Sequence, residues 1–318
     1  MQSPKLEQLP APPMGKSGWP WTVASSALSD ESAEWPRISI VTPSYNQGEY
    51  VEATIRSILL QNYPNLEYFI MDGGSTDNSV EIIQRYEPWV TQWVSEPDRG
   101  QSHAINKGLD QGTGQIFAWV NSDDMLLPDA LWRVAEAYRQ RSEAAAWAGT
   151  CHLVRADGRI IKSVEPKGLT KDGLADWFYG GFFFQPSCFF SGKAWQAIGG
   201  VDESLNFAMD FDLGLRLAEQ GEYVLLPDVL SAALIHDEAK TQALRPEMHA
   251  ETMYVQIKYG YDKLAFKRLR LLLEATAEQE RRQASLTVRL KRRLRQLFPK
   301  NGRHKELVQF LPETQGSK

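Results

Sequence analysis

The sequence predicts an α/β fold: a mostly parallel, Rossmann-like sheet flanked by helices, with a helical extension at its C-terminal end. Three observations predict it. Short apolar, β-branched runs alternate with stretches of helical periodicity up to about residue 130, a pattern that builds parallel, helix-covered sheets. Several of those runs end in polar, glycine-containing loops, which such a sheet gathers at one edge, where ligands bind. The run Phe117–Val120 stops at Asn121-Ser122-Asp123-Asp124, and carboxylates at the end of a buried strand are costly unless paired, hydrogen-bonded or bound to a cation.

Each element has its own signal. Residues 1–34 carry Pro4, Pro10, Pro12, Pro13 and Pro20 and no sustained period, so they read as an arm, mobile or wrapped on the surface. Its Trp19 and Trp21 suit docking on the body. Arg37–Thr42 alternates as a strand and leads into the loop Pro43–Gly48. Val51, Ile55, Ile58 and Leu59 then recur at helical spacing. Leu66–Met71 is the second strand, followed by Asp72-Gly73-Gly74-Ser75-Thr76-Asp77 and a helix holding Val80, Ile82 and Ile83. Val90–Val94 is the third strand, Ser95–Gly100 its loop and His103–Leu109 its helix. Gln115–Val120 is the fourth strand, with Pro128 placed where a helix can begin. Ser122 and Asp123 suit either a ligand site or the cap of that helix; Asp72 and Asp77 suit either a ligand or turn and cap chemistry.

The second half continues with strands at Trp147–Val154 and Arg159–Val164 around the turn Asp157-Gly158. An aromatic stretch follows at Trp177–Phe190, then a helix opened by Asp210, then a strand at Val229–Ile235. The expected organisation is an arm at 1–34, a catalytic-type domain at 35–240 with halves 35–128 and 129–240, and a helical, basic extension at 241–318.

At 42% hydrophobic and 24% charged, the composition is that of an ordinary soluble protein, with no apolar run of the ~20 residues a membrane span needs. The polar N-terminus lacks a signal-peptide core, and the two cysteines, Cys151 and Cys188, lack metal-type spacing, so a reducing cytoplasm is expected. Neither a G-x-G-x-x-G nor a G-x-x-x-x-G-K-[ST] string is present, so phosphate would need a cation or basic side chains instead of a glycine cradle. Charge is uneven: residues 1–262 hold 20 Lys+Arg against 35 Asp+Glu, and 263–318 hold 15 against 5, giving −15 and +10.

Ile40-Val41-Thr42-Pro43-Ser44-Tyr45-Asn46, Ile70-Met71-Asp72-Gly73-Gly74-Ser75-Thr76-Asp77 and Asn121-Ser122-Asp123-Asp124 together resemble family-2 glycosyltransferases of the GT-A fold, in order and spacing, over about Arg37–Asp237. The resemblance implies inverting transfer of a sugar from a nucleotide-diphosphate donor to a hydroxyl of a saccharide or lipid-linked acceptor, in polysaccharide or glycolipid biosynthesis. It implies nucleotide-sugar contacts from Pro43, Tyr45, Asp72, Arg99 and Asp123. It also implies a divalent cation, Mn²⁺ or Mg²⁺, at Asp124, joined by His236. Arg99 lies in Glu96-Pro97-Asp98-Arg99-Gly100-Gln101-Ser102, also similar to the family; a solvated loop arginine is its other reading. Asn106 in the following helix is expected to tie that helix to the sheet. Asn121 departs from the commoner D-x-D-D and removes one carboxylate.

Gln185-Pro186-Ser187 resembles the segment entering the acceptor pocket. Gly199-Gly200-Val201-Asp202-Glu203 and Met209-Asp210-Phe211-Asp212, closing with Arg216, resemble the segment that carries the base. Asp210 is thereby the catalytic candidate and Asp212 its rival. The alternative from another class is a catalytically silent nucleotide-sugar-binding protein on the same fold. No nucleic-acid partner is expected. In the tail, residues 281–300 combine eight basic residues and no acidic one with Leu286, Leu290, Leu294 and Leu297 at helical spacing. That pattern suits a helix lying on an anionic membrane surface, which would place the protein peripherally on the inner face of the membrane. Docking of the leucines on the acidic body is the competing reading.

Overall fold

The computed structural model describes residues 3–26, 34–235 and 245–297. They divide into two compact units between Tyr259 and Gly260. The first holds strands β1 (Ile38–Ser44), β2 (Leu66–Asp72), β3 (Gln92–Ser95), β4 (Ile116–Trp119), β5 (Asp124–Leu126), β6 (Ala146–Val154), β7 (Ile160–Val164), β8 (Cys188–Ser191) and β9 (Tyr223–Leu234). Its helices are α1 (Val51–Leu59), α2 (Ser79–Tyr86), α3 (Gln101–Leu109), α4 (Ala130–Gln140), α5 (Lys171–Ala175), α6 (Gly192–Ile198), α7 (Met209–Gln220) and α8 (Arg245–Lys258). The second unit contributes one helix, α9 (Asp262–Leu297). The division places α8 in the same body as the sheet, whereas the expected extension began at 241. No helix among the described residues is long and apolar enough to cross a membrane.

The sheet order is β3-β2-β1-β4-β8-β6-β9-β5, with β7 also paired to β6. Pairing is parallel from β3 through β4, as the strand–helix alternation predicts. Beyond β4 the sheet turns mixed, because β8 enters antiparallel to both β4 and β6. Every residue of β1 is buried, in keeping with a central strand covered on both faces. Ile38 and Ile40 share a core with Ile55 and Ile58 of α1 and Ile82 and Ile83 of α2. On the other face α3 lies so close to β1 that a Cβ on Gly108 would stand 2.3 Å from Val41 Cγ2.

Two elements differ from the sequence expectation. Asp124 is the first residue of β5, pairing with Ala233 of β9, and α4 begins only at Ala130, after Asp129 at φ 65°. The segment satisfies its backbone by joining the sheet, so Ser122 and Asp123 do not cap a helix. Strand β9 also begins six residues earlier than Val229, because it runs through Pro227. Pairing with β6 shifts register there, so the proline lies in an irregularity where no ladder donor is required, and Gly149 opposite makes room for Leu230.

The arm wraps the body. Arg56 of α1 is fully buried and donates through Nε to Pro20 O (3.0 Å), through Nη1 to Pro10 O (2.8 Å) and through Nη2 to Trp21 O (2.8 Å). Nη1 also reaches the Tyr86 hydroxyl, which donates to Glu52, so a carboxylate balances the charge at second hand. Trp19 Nε1 donates to Leu126 O at 2.8 Å, placing the arm against β5. We predict that Arg56→Met lowers unfolding stability by roughly 3 kcal/mol or more, since three carbonyls lose a charged donor worth about 1.5–3 kcal/mol each. Urea unfolding reads the loss, and trypsin should reach Lys5 and Lys16. An unchanged midpoint with a protected arm would contradict this role.

Candidate active site

A cavity of about 1050 Å³ opens where β1 and β4 end, bounded by the loop after β1, the acidic turn 121–124, the aromatic stretch and the start of α7. Of the residues singled out from sequence, Pro43, Tyr45, Asp123, Asp124 and Asp210 line it. Tyr45 stands at 62% exposure.

The loops after β1 and β2 are tied into one unit. Asn46, at φ 52°, accepts from Thr76 N at 2.8 Å, and its own N–H donates to Ser75 Oγ at 2.7 Å. Asp77 accepts from the Gly48 amide and the Ser79 amide and hydroxyl. Slight burial pushes the Asp77 carboxyl up, but those donors outweigh it and hold the group below the usual carboxylate range. Asp72 is buried beneath the cavity. Its Oδ2 accepts from Gly74 N (3.1 Å), Ser75 N (2.9 Å) and Ser95 Oγ (2.7 Å), and its Oδ1 from Ser75 Oγ (2.5 Å). Turn chemistry is thus present at both aspartates, and it is Gly73, beside Asp72, that faces the cavity.

The acidic turn is braced from below by α1, whose Thr54 hydroxyl donates to Asp124 O at 2.6 Å. Asn121 Nδ2 donates to Asp124 Oδ2 at 3.0 Å and in turn Gln101 Nε2 donates to Asn121 Oδ1 at 2.8 Å. Gln185 joins the same polar group by accepting from Asn121 Nδ2 at 3.4 Å, while its own Nε2 donates to Trp119 O at 2.7 Å. Asn121, where the family pattern has a carboxylate, is therefore a donor that orients Asp124. Burial, and then the charge of neighbouring Asp123, push the Asp124 carboxyl well above its ordinary value, against the pull of Asn121 and the Leu234 amide. Two adjacent carboxylates at a buried strand end fit a hard cation that keeps water and substrate oxygens as its remaining ligands. Among the described residues no cluster of three or more metal-ligating side chains occurs, and His236 lies outside the described residues.

Asp210 and Asp212 lie two positions apart on α7 and face different surroundings. Asp212 is fully buried; its Oδ2 pairs with Arg216 at 2.6 Å, and its Oδ1 accepts from Lys258 Nζ (2.9 Å) and the Tyr259 hydroxyl (3.0 Å). Arg216 further donates to Ile198 O and Gly200 O, closing the end of α6. Asp210 has its Oδ1 on Phe211 N at 2.8 Å and lines the cavity. The geometry separates the two candidates: Asp212 is a structural pin, and Asp210 lines the cavity.

Arg99 does not line the cavity. It forms a salt bridge to Glu203 at 2.6 Å on the surface. Asn106 departs from expectation as well: its side chain brackets both backbone groups of Val201 (2.9 and 3.0 Å), tying α3 to the turn after α6 and not to the sheet. That turn needs glycine, since Gly200 has φ 82° and a Cβ there would meet Asn106 Oδ1 at 2.5 Å. The aromatic stretch splits between core and site. Phe183, Phe189 and Phe190 are buried, while Trp177, Phe178, Phe182 and Phe184 are half-buried on the cavity wall. Ser44 Oγ, Gln47 Oε1 and Trp119 Nε1, on residues that line the cavity, are buried without a hydrogen-bond partner among the described residues. Orphaned polar atoms around one cavity point to a polar ligand. Met248 of α8 also reaches the cavity, which sequence reasoning missed because α8 carries no motif.

The glycosyl transferase family 2 model matches residues 39–194. The chain is similar to the chondroitin synthase of Escherichia coli, at 25% identity over 242 residues, covering 73% of this chain and 34% of that protein. It spans 21% of the length of the Pasteurella multocida chondroitin synthase, to which it is 28% identical. The uncharacterized glycosyltransferase Rv1514c of Mycobacterium tuberculosis is 30% identical over 201 residues, covering 61% of this chain and 74% of that one. Among solved structures, Staphylococcus aureus TarS 1-349 in complex with UDP-GlcNAc matches with a TM-score of 0.55 at 16% identity, over 69% of this chain and 65% of that one. This last likeness carries the GT-A fold.

We predict that the two aspartates of α7 separate by stability. Asp212→Asn should cost roughly 3 kcal/mol, because it leaves Arg216 and Lys258 beside a buried neutral amide. Asp210→Asn should cost less, about 1 kcal/mol, because Asp210 is only half-buried and lines the cavity. Urea unfolding of both variants checks this, and equal losses would remove the distinction.

Proposed function

The chain belongs to glycosyl transferase family 2, and on that premise we propose that it moves a sugar from a nucleotide-diphosphate donor to an acceptor hydroxyl with inversion, in polysaccharide or glycolipid biosynthesis. The observation that carries this reading is one cavity shared by the Pro43–Tyr45 loop, the Asp123-Asp124 turn and Asp210, with Asp212 locked elsewhere. Pro43 and Tyr45 flank the nucleotide base, and Asp72 holds the floor beside it through Gly73. Asp123 takes the ribose. Asp210 accepts the proton of the acceptor hydroxyl as its oxygen bonds to the anomeric carbon and the nucleoside diphosphate departs. Asp124 would hold a Mn²⁺ or Mg²⁺ ion, which when bound would supply positive charge to the diphosphate. Arg99 contributes to the donor side by fixing its loop to Glu203.

The half-buried aromatic wall of Trp177, Phe178, Phe182 and Phe184 suits the apolar face of a saccharide acceptor. That TarS is described with UDP-GlcNAc favours a uridine diphosphate sugar as donor, and the chondroitin synthases favour a glycan acceptor. The basic stretch 281–300 is proposed to rest on an anionic membrane at the cytoplasmic face, near a lipid-linked acceptor. Helix α9 runs through it to Leu297, while the side chains 284–288 and 290–297 and the residues after 297 lie outside the described part.

A screen of nucleotide sugars for Mn²⁺- or Mg²⁺-dependent release of nucleoside diphosphate tests the core reading. Asp210→Asn should then lower transfer by about 10²–10⁴-fold, the range for a lost general base, while donor binding persists. Asp124→Asn should abolish the response to metal. Donor binding without turnover by the wild type would instead leave a silent binder. For the tail, sedimentation with anionic vesicles should weaken with salt and fall on truncation after Glu280; binding unchanged by that truncation would end the membrane proposal.

A further inference from the structure

Helix α8 lies beyond the 39–194 span matched by the family model, yet it holds the segment that presents Asp210. Glu251 of α8 accepts three consecutive backbone N–H groups: Asn206 N on both oxygens (3.0 and 3.0 Å), Phe207 N at 2.7 Å and Ala208 N at 3.0 Å. Ala208 is the N-cap of α7 and has no side chain with which to cap it. The orphan donors leading into α7 are thus met by a carboxylate from another helix, and a negative charge there also favours the helix dipole. Of the capped residues, Asn206 and Phe207 line the cavity, and so do Met209 and Asp210 just after them. The far end of α8 is fastened to the same helix by Lys258 and the adjoining Tyr259 on Asp212, and to α5 by Gln256 Nε2 on Ala175 O at 2.8 Å.

We propose that Glu251 is a positioning residue: by capping Asn206–Ala208 it fixes where Asp210 stands in the cavity. The proposal rests on the reading of Asp210 as the base, but its structural half does not. A single carboxylate bound to three amides sets the direction of the first turn of α7. Without it, the three N–H groups turn to water, and Asp210, two residues on, loses its fixed approach to an acceptor hydroxyl. The loops that hold the donor are anchored separately, through Asn46, Asp77 and Asp72, so donor binding is spared.

The test uses the full chain with Glu251→Ala and Glu251→Gln. Amide hydrogen exchange is measured first, since it needs no substrate. Exchange at Phe207 and Ala208 should rise at least tenfold in Glu251→Ala, and less in Glu251→Gln, with β1 to β4 unchanged. Exchange unaltered at those amides would overturn the proposal whatever the activity. Transfer is then measured with the donor found by the nucleotide-sugar screen, and binding with UDP and GDP in Mn²⁺. The expected pattern is a fall in kcat of ten- to a hundredfold in Glu251→Ala, nucleotide Kd within twofold, and partial rescue of kcat in Glu251→Gln. Raised exchange with kcat unchanged, or a kcat loss matched by an equal loss of nucleotide binding, would overturn it. A wild type inactive with every nucleotide sugar would instead bring down the glycosyltransferase reading, with the exchange result standing apart from it.

Discussion

Burying a carboxylate is the constraint on which this structure turns. A desolvated charge must find donors, cations or a ligand, and the aspartates here meet that demand in different ways. Asp72 is met by turn amides and two serine hydroxyls, and Asp212 by Arg216, Lys258 and Tyr259. Among the described residues Asp124 is met by the Asn121 amide and the Leu234 amide, and Asp123 stands next to it, so there its charged form is the one left poorly compensated. That residual demand lies at the strand ends facing the cavity. The same accounting marks Asp72 and Asp212 as residues that shape the site from behind.

The compact unit is closed by two segments outside the family match. The arm is held by a buried guanidinium that satisfies three of its carbonyls, and α8 is held by a carboxylate and a lysine on the start and flank of α7. In both cases a single charged side chain serves several backbone or charged groups at once, and this is why each is expected to matter more than an isolated surface ion pair. The arm sits behind α1 and β5, which support the acidic turn, while α8 sits behind α7, which carries Asp210. The two halves of the site thus have separate supports.

Part of the fold and site could be read from the residues alone. Alternation of β-branched strands with helical periods determined the parallel half, and the three motif loops determined which strand ends meet at the cavity, because a parallel sheet leaves them no other edge. Asp72, Asp123 and Asp124 were legible since strand-terminal carboxylates stand out against apolar runs. The segment carrying Asp210 was legible through its resemblance to the family. Tertiary structure alone decided the rest. Asp210 and Asp212 are chemically alike and two residues apart, and only the arrival of Lys258 and Tyr259 from forty-odd residues downstream separates them. Local signals at Ser122-Asp123 allowed a helix cap, but pairing of Asp124 with Ala233 drew the segment into the sheet. Arg99 and Asn106 found their partners in the turn at Val201–Glu203, 104 and 95 residues away. Motif and periodicity report on neighbours along the chain, whereas ion pairs and caps such as Glu251 on Asn206–Ala208 depend on neighbours in space.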